Sequence, residues 1–193
     1  RDFPGQSMPM VASLGQSLRD AGEFQELVDL RLLQDEVGAY FATTPLSFEL
    51  AQLYAQDLGD GKEALAWYKR CNEQLHDTEF GRQSRDAIVG ILRDDKQYEL
   101  LAEACWDFAR HGEDVEETLR WGIQSATIFY EKLARHEKAS EVIWHLLEMG
   151  DAGEHEGELL ALLRKLSENR GLVTLLRTSL DKSWDVEDGR FKE

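Results

Sequence analysis

The chain contains few cysteines, few prolines and no long apolar run, and each shortage excludes a class of protein. Two cysteines in 193 residues, Cys71 and Cys105, are too few for a disulfide framework and lack the CxxC spacing of zinc or redox sites. No stretch of about 18 apolar residues is present, so the sequence predicts no transmembrane helix. Prolines occur only at positions 4, 9 and 45, which leaves long stretches open to helices.

Basic side chains are also scarce, with 22 Lys and Arg against 38 Asp and Glu and a formal net charge of −16. Proteins that bind nucleic acid gain affinity by neutralising phosphates, so we expect no nucleic-acid partner. An acidic surface suits a basic protein partner better. With no signal peptide or membrane span in the sequence, we expect a cytoplasmic protein. Arg1 is not an initiator Met, so the chain can also be a processed product or a piece of a longer protein.

The segment from Leu119 to Gly150 predicts two amphipathic helices joined by a tight turn at residues 135–138. Apolar side chains recur at helical spacing on each side of that turn. Helices joined by so short a turn must lie antiparallel. A hairpin of this size cannot bury its apolar faces alone, so it needs similar neighbours.

The same pattern recurs along the chain at a period of about 37 residues. An apolar anchor begins each second helix, with intervals of 37, 37, 38 and 37 residues between Leu27, Ala64, Leu101, Ala139 and Leu176. A larger apolar residue precedes each anchor by nine or ten positions: Leu18, Tyr54, Leu92, Tyr130 and Leu166. Another precedes it by 13 or 14 positions: Leu14, Leu50, Ile88, Ala126 and Leu162. Repetition in one register predicts a helical solenoid, in which each unit packs on its neighbours.

These patterns predict the domain limits. Residues 1–8 form a lead-in, residues 184–193 form a polar tail, and five hairpins fill residues 9–42, 44–76, 78–112, 114–150 and 154–183. We expect Thr44 to cap the third helix with Pro45 as its first residue, and the second helix to extend from Phe24 to Tyr40. Asp114 and Glu117 have the spacing of a capping box.

Two segments, LAQLYAQDLGDGKEALAWYKRC (50–71) and ATIFYEKLARHEKASEVIWHLL (126–147), resemble the tetratricopeptide repeat. Each has an aromatic residue late in the first helix and Ala at the anchor. The resemblance implies an all-α, right-handed superhelix of about five antiparallel hairpins. The period is longer than the 34 residues of that family, the anchor is often Leu, and the usual closing Pro is absent. Another kind of helical-hairpin solenoid therefore stays open as an alternative.

In tetratricopeptide arrays the first helices line a concave groove, so the resemblance implies that their polar residues bind a protein or peptide. By register the candidate residues on this concave face are Gln16, Arg19, Gln52, Gln56, Asp86, Arg93, Gln124, Glu131 and Arg164. Trp121 is a further candidate, as an exposed hydrophobic anchor. The alternatives are a merely solvated helix face for the polar residues and core packing for Trp121.

No motif in the sequence indicates catalysis. The five histidines lack metal-ligand spacing, and no P-loop, GxGxxG or nucleophile elbow is present, so we expect no catalytic, cofactor-binding or metal site. The leading hypothesis is a non-catalytic interaction scaffold. The second is a regulatory or substrate-recruiting segment of a larger enzyme, and an all-helical enzyme is third. The Leu-rich fifth repeat is where we expect a homo-oligomer to form.

Overall fold

The computed structural model describes residues 4–38, 40, 42–112, 114–149 and 156–167, and every regular element in this part of the chain is helical. This confirms the all-α class. The helices are α1 Pro4–Ala21, α2 Phe24–Glu36, α3 Leu46–Gln52 with a π-helical turn at Leu53–Asp57, α4 Gly61–Leu75, α5 Glu79–Asp94, α6 Tyr98–His111, α7 Val115–Glu131, α8 His136–Glu148 and α9 Glu156–Ser167.

Some helix ends differ from the prediction. α1 begins at Pro4, inside the predicted lead-in, because proline is tolerated in the first helical turn, where its missing N–H has no partner to lose. α2 ends at Glu36 instead of Tyr40, since Gly38 adopts a left-handed conformation (φ 65°) that terminates helices. α3 begins at Leu46, and its N-cap residue is Pro45 rather than Thr44.

The chain forms two compact units, residues 1–91 and 92–193. In the first unit, Leu27 and Val28 of α2 form a buried cluster with Leu50 of α3 and Leu53 of the π turn. Phe48 of α3 stacks edge-on against Tyr68 of α4, with ring centroids 5.9 Å apart. Apolar contact between consecutive helices therefore forms the core of this unit.

In the second unit, α7 packs against both α6 and α8. Phe108 near the end of α6 contacts Trp121 near the start of α7, so these two helices are antiparallel. Lys138 of α8 forms an ion pair with Glu103 of α6, and further along both helices His145 of α8 packs against Trp106 of α6, so α6 and α8 are parallel. Helix α8 thus lies beside α6, two helices earlier in the chain.

Burial follows the predicted register at most positions. The four described anchors, Leu27, Ala64, Leu101 and Ala139, are at most 1 % exposed. The register is one residue out at two places, because Leu53 and Phe129 are buried whereas the predicted Tyr54 and Tyr130 are half-buried. Leu14 also departs from the pattern, since it is 48 % exposed.

Both cysteines are fully buried free thiols, one in α4 and the other in α6, in agreement with their predicted core positions. Burial raises the pKa of the Cys105 thiol to about 12. No helix among the described residues is long and apolar enough to cross a membrane. The predicted second helix of the fifth hairpin, with its anchor Leu176, and the polar tail lie outside the described residues.

Candidate functional site

Helix α7 is fixed in place by close contacts with both of its neighbours. Ser125 donates a buried hydrogen bond from its hydroxyl to the backbone oxygen of Ala102 in α6, at 2.8 Å. On the side of α8, a Cβ added to Gly122 would lie 2.6 Å from Cδ2 of Leu146, so glycine allows the two helices to approach closely. Asp114 caps the helix by accepting a hydrogen bond from the Glu117 backbone N–H at 2.9 Å. This part of the predicted capping box is confirmed.

The face of α7 opposite these contacts carries four polar side chains. Arg120, Gln124, Thr127 and Glu131 are spaced by four, three and four residues, which places them on one side of the helix. Arg120 and Glu131 are exposed, whereas Gln124 and Thr127 are half-buried. We call this set the α7 stripe. It contains two of the residues predicted to bind a partner, Gln124 and Glu131.

Gln124 lies near the middle of the stripe and has an unsatisfied donor. Its Nε2 atom is buried from solvent and has no hydrogen-bond partner among the described residues. Two other buried polar atoms share this condition, Ser84 Oγ and His136 Nδ1, but neither belongs to the predicted binding face. A buried donor without an acceptor costs about 1–3 kcal/mol. A ligand that supplies an acceptor removes that cost only if the amide turns outward to meet it, because Nε2 is closed to solvent in this conformation.

At its C-terminal end the stripe joins α9. The Lys165 ammonium donates to Glu131 Oε1 at 2.8 Å, and the Tyr130 hydroxyl donates to the backbone oxygen of Lys165 at 3.2 Å. The hydrogen bond from Lys165 holds the pKa of the Glu131 carboxyl below its ordinary value. Arg164, another predicted residue, is exposed in the same turn of α9. Lys165 is thus the cation that pairs with the Glu131 carboxylate at this end.

The N-terminal end of the stripe adjoins Trp121, which the sequence suggested as an exposed hydrophobic anchor. Trp121 is only 2 % exposed, so it is a core residue and not an exposed anchor. Its ring packs against Phe108, and its Nε1–H donates to Glu117 at 3.2 Å, which satisfies the polar atom of a buried indole. The Arg120 guanidinium covers the same ring, 4.2 Å from the centroid.

Five of the predicted residues belong to the first unit. Gln52 is half-buried and Gln56 is exposed, on α3 and on the π turn that follows it. Gln16 donates to Asp20 within α1, and Arg19 forms an ion pair with Glu49 at 3.1 Å. Asp86 of α5 is exposed.

The remaining predicted residue is Arg93, which is exposed near the end of α5 and belongs to the second unit. The predicted partner-binding residues are therefore divided between the two units. Only Gln124, Glu131 and Arg164 are brought together on the adjacent helices α7 and α9.

The sequence reasoning missed three side chains of this region. Arg120 lies four residues before Gln124, so helical spacing alone could have added it to the set. Thr127 follows Gln124 by three residues and could have been found in the same way. Lys165 had no such signal, because its role depends on the contact between α7 and α9.

Within the described ranges, no group of three or more His, Cys, Asp or Glu side chains could hold a metal ion. No family model matches the chain, and no curated protein or solved structure shows significant similarity to it.

Proposed function

We propose that this protein is a non-catalytic interaction scaffold that binds a peptide segment of another protein along the α7 stripe and the adjacent end of α9. The unsatisfied Nε2 donor of Gln124 is the observation that carries this proposal. A peptide backbone carbonyl is the commonest acceptor that a partner protein can offer. Arg120 at one end of the stripe and the Glu131–Lys165 pair at the other are charged groups that a bound peptide would meet.

The proposal includes the tetratricopeptide-like arrangement expected from the sequence, in which first helices share one binding face. The parallel pairing of α6 with α8 supports this arrangement, and so does the contact of α7 with α9. In such an array, α7 and α9 are the first helices of successive repeats. The stripe then lies on the concave surface.

The test is the substitution Gln124→Met, which keeps the length of the side chain and removes the unsatisfied donor. We expect the free energy of unfolding of the isolated protein to rise by about 1 kcal/mol, measured by urea denaturation. We expect binding of the partner to fall at the same time. If Gln124 only packed in the core, its substitution would lower the stability of the protein or leave it unchanged. A gain in stability together with a loss of binding therefore identifies a binding residue.

Binding is followed with a photo-crosslinking amino acid at Thr127, next to Gln124 in the stripe. The control crosslinker replaces Glu141, which is exposed on α8. We expect a protein from the native lysate to crosslink to position 127 only, and Gln124→Met to reduce its yield. Gln25→Met, at an exposed position on α2 where the amide donates to Asp29, is the matched control and should not raise stability or change the yield.

Equal labelling from positions 127 and 141, or a yield that Gln124→Met does not reduce, would place binding elsewhere. A crosslinked product that proves to be a catalytic subunit would favour the regulatory role over the adaptor role.

A further inference from the structure

The first hairpin, α1 with α2, has an apolar face that no described residue covers. Met10 and Leu14 of α1 are 74 % and 48 % exposed, Leu33 of α2 is 55 % exposed, and Val37, the C-cap residue of α2, is 65 % exposed. We call these four residues the N-terminal face. Scattered single apolar residues on a surface are ordinary, but four on one hairpin require an explanation.

Comparison of α1 with α3, the equivalent helix of the second hairpin, indicates that this face suits another helix. Met10 and Leu14 correspond to Leu46 and Leu50 of α3, each 36 residues later. Leu50 is fully buried in a cluster with Leu27 and Val28 of α2, and Leu46 packs against the same cluster. In the second hairpin these positions are therefore covered by a helix of the hairpin before it.

A comparison of α2 with α8 of the second unit gives the same result for the second helix of the hairpin. Leu33 lies six residues after its anchor, as His145 of α8 does. The His145 ring packs edge-on against Trp106 of α6, the second helix of the preceding hairpin, with centroids 5.2 Å apart. Both helices of the first hairpin thus present the positions that in later hairpins contact a preceding helix.

The charges beside this face indicate which charge its partner should carry. Glu26, Asp29 and Glu36 are exposed and flank Leu33 and Val37 on the same side of α2. Both arginines of the described part of the hairpin, Arg19 and Arg31, bind Glu49 of α3 instead.

The corresponding contact in the second unit shows how such a charge is used. Glu26 precedes its anchor by one residue, as Lys138 does in α8, and Lys138 pairs with Glu103 of α6. At the position equivalent to Lys138 the first hairpin carries the Glu26 carboxylate, so we expect a cation on the helix that covers it.

We propose that the N-terminal face is a docking surface for a basic amphipathic helix of a partner protein, which covers the face as α2 covers α3. Its apolar stripe packs on Leu14 and Leu33, and its flanking Lys or Arg side chains pair with Glu26 and Asp29. A second copy of the same face does not satisfy these charges, because it would bring acidic flanks together in a chain of net charge −16. This surface is separate from the α7 stripe and does not depend on it.

The test uses the whole chain and two fluorescent helical peptides of about 18 residues, a length at which a helix is stable enough to bind. Both peptides carry the same leucine stripe, flanked by lysines in one and by glutamates in the other. Fluorescence anisotropy should show binding of the lysine peptide at least about tenfold tighter than that of the glutamate peptide, and weakened by salt.

Three variants locate the site. Leu14→Gln with Leu33→Gln should weaken binding of the lysine peptide by about tenfold or more, because two apolar contacts are lost. Leu100→Gln, an exposed leucine of α6, should leave it unchanged. Glu26→Lys with Asp29→Lys should reverse the preference between the two peptides. All five substituted positions are surface-exposed, so these variants should retain their circular dichroism spectra.

Equal affinity for both peptides, or no binding of either, would overturn the proposal. So would a concentration-dependent dimer, seen by light scattering, that the Leu14→Gln and Leu33→Gln variant abolishes, because the face would then belong to a second copy. Gln124→Met should not alter peptide binding here, so failure of this surface and failure of the α7 stripe are separate results.

Discussion

At the scale of single residues, Glu49 connects several parts of the first unit. Its side chain is 12 % exposed and accepts hydrogen bonds from Arg19 of α1 at 3.1 Å and from Arg31 of α2 at 3.0 Å. The Tyr40 hydroxyl lies 2.8 Å from the same carboxylate and 2.7 Å from the backbone oxygen of Thr44. One carboxylate therefore connects three helices and the loop before α3. A partly buried charge with several charge-assisted hydrogen bonds stabilises more than an exposed ion pair does.

The hydrogen bond of Tyr40 predicts a loss of stability in alkali. Burial, and then the contact with Glu49, raise the pKa of the Tyr40 hydroxyl above its ordinary value of 10.0. A raised pKa means that the folded protein keeps a proton that unfolded tyrosine loses, so the stability from this group is complete below about pH 10 and falls above it.

We expect Tyr40→Phe to lower the free energy of unfolding by about 1 kcal/mol at neutral pH, since one hydrogen bond is lost. Between about pH 9 and pH 11 the variant should lose less stability than the wild type, because it lacks the titrating hydroxyl. Urea unfolding across this range gives both quantities. Tyr98→Phe, at a half-buried position in α6, is the control. Parallel pH profiles for wild type and Tyr40→Phe would show that another group carries the alkaline dependence.

Sequence reasoning at this scale was right about core positions and weaker about polar ones. Apolar periodicity identified the anchors, because burial of an apolar side chain follows from its place on the helix. It could not decide whether Trp121 is exposed, since its place depends on Phe108 of α6 and on a hydrogen bond to Glu117. Glu49 escaped notice because its partners lie 18 and 30 residues away in the sequence.

At the scale of elements, the turns explain where the predicted register failed. The π-helical turn at Leu53–Asp57 has a backbone hydrogen bond from Leu58 to Leu53, five residues apart, and takes up an additional residue. Leu53 consequently occupies the buried position that the regular spacing assigns to Tyr54. In the fourth hairpin the longer turn after α7 has the same effect, and Phe129 replaces Tyr130. Sequence spacing does not distinguish a residue added inside a turn from one added before it.

Two glycines of α5 predict opposite effects of the same substitution. A Cβ added to Gly81 would meet backbone atoms at the end of α4, including the His76 oxygen at 2.7 Å, so the helices would have to separate. A Cβ on Gly90 would meet nothing within 4 Å. We expect Gly81→Ala to destabilise the protein by about 2 kcal/mol or more and Gly90→Ala to stabilise it by about 0.5–1 kcal/mol.

Thermal and urea unfolding of the two variants measure this difference directly. Each variant is the control for the other, because both carry the same change in the same helix. Similar effects from the two substitutions would mean that α4 and α5 do not approach each other closely at Gly81.

At the scale of the whole molecule, the sequence predicted the class of the fold and the order of its helices. The predicted hairpin limits enclose the observed helices from α2 to α8, since caps and turn residues act locally. The division at residues 91 and 92 falls inside α5 and was not predicted. Local patterns describe each hairpin, whereas the grouping of hairpins depends on contacts between residues distant in the sequence. The solenoid arrangement of the entire chain stays a prediction.

The net charge of −16 predicts that salt stabilises this protein. Like charges repel one another more in the compact state than in the unfolded chain, and salt screens that repulsion. We expect the urea midpoint to be higher at about 200 mM than at about 10 mM NaCl, where the Debye length is roughly four- to fivefold longer. The variant Glu116→Gln with Glu141→Gln, at two exposed sites, should respond less to salt. A midpoint that falls with added salt would show that ion pairs outweigh the net repulsion.

The placement of the two thiols provides a way to follow the two compact units independently. Cys71 lies in the first unit and Cys105 in the second, and both side chains are inaccessible to solvent. A thiol-modifying reagent can reach each sulfur only when the surrounding helices open, so the labelling rate reports local opening. With Cys71→Ala or Cys105→Ala, each unit would report through a single natural cysteine. Labelling kinetics at increasing urea concentration would then show whether the two units open together or in sequence.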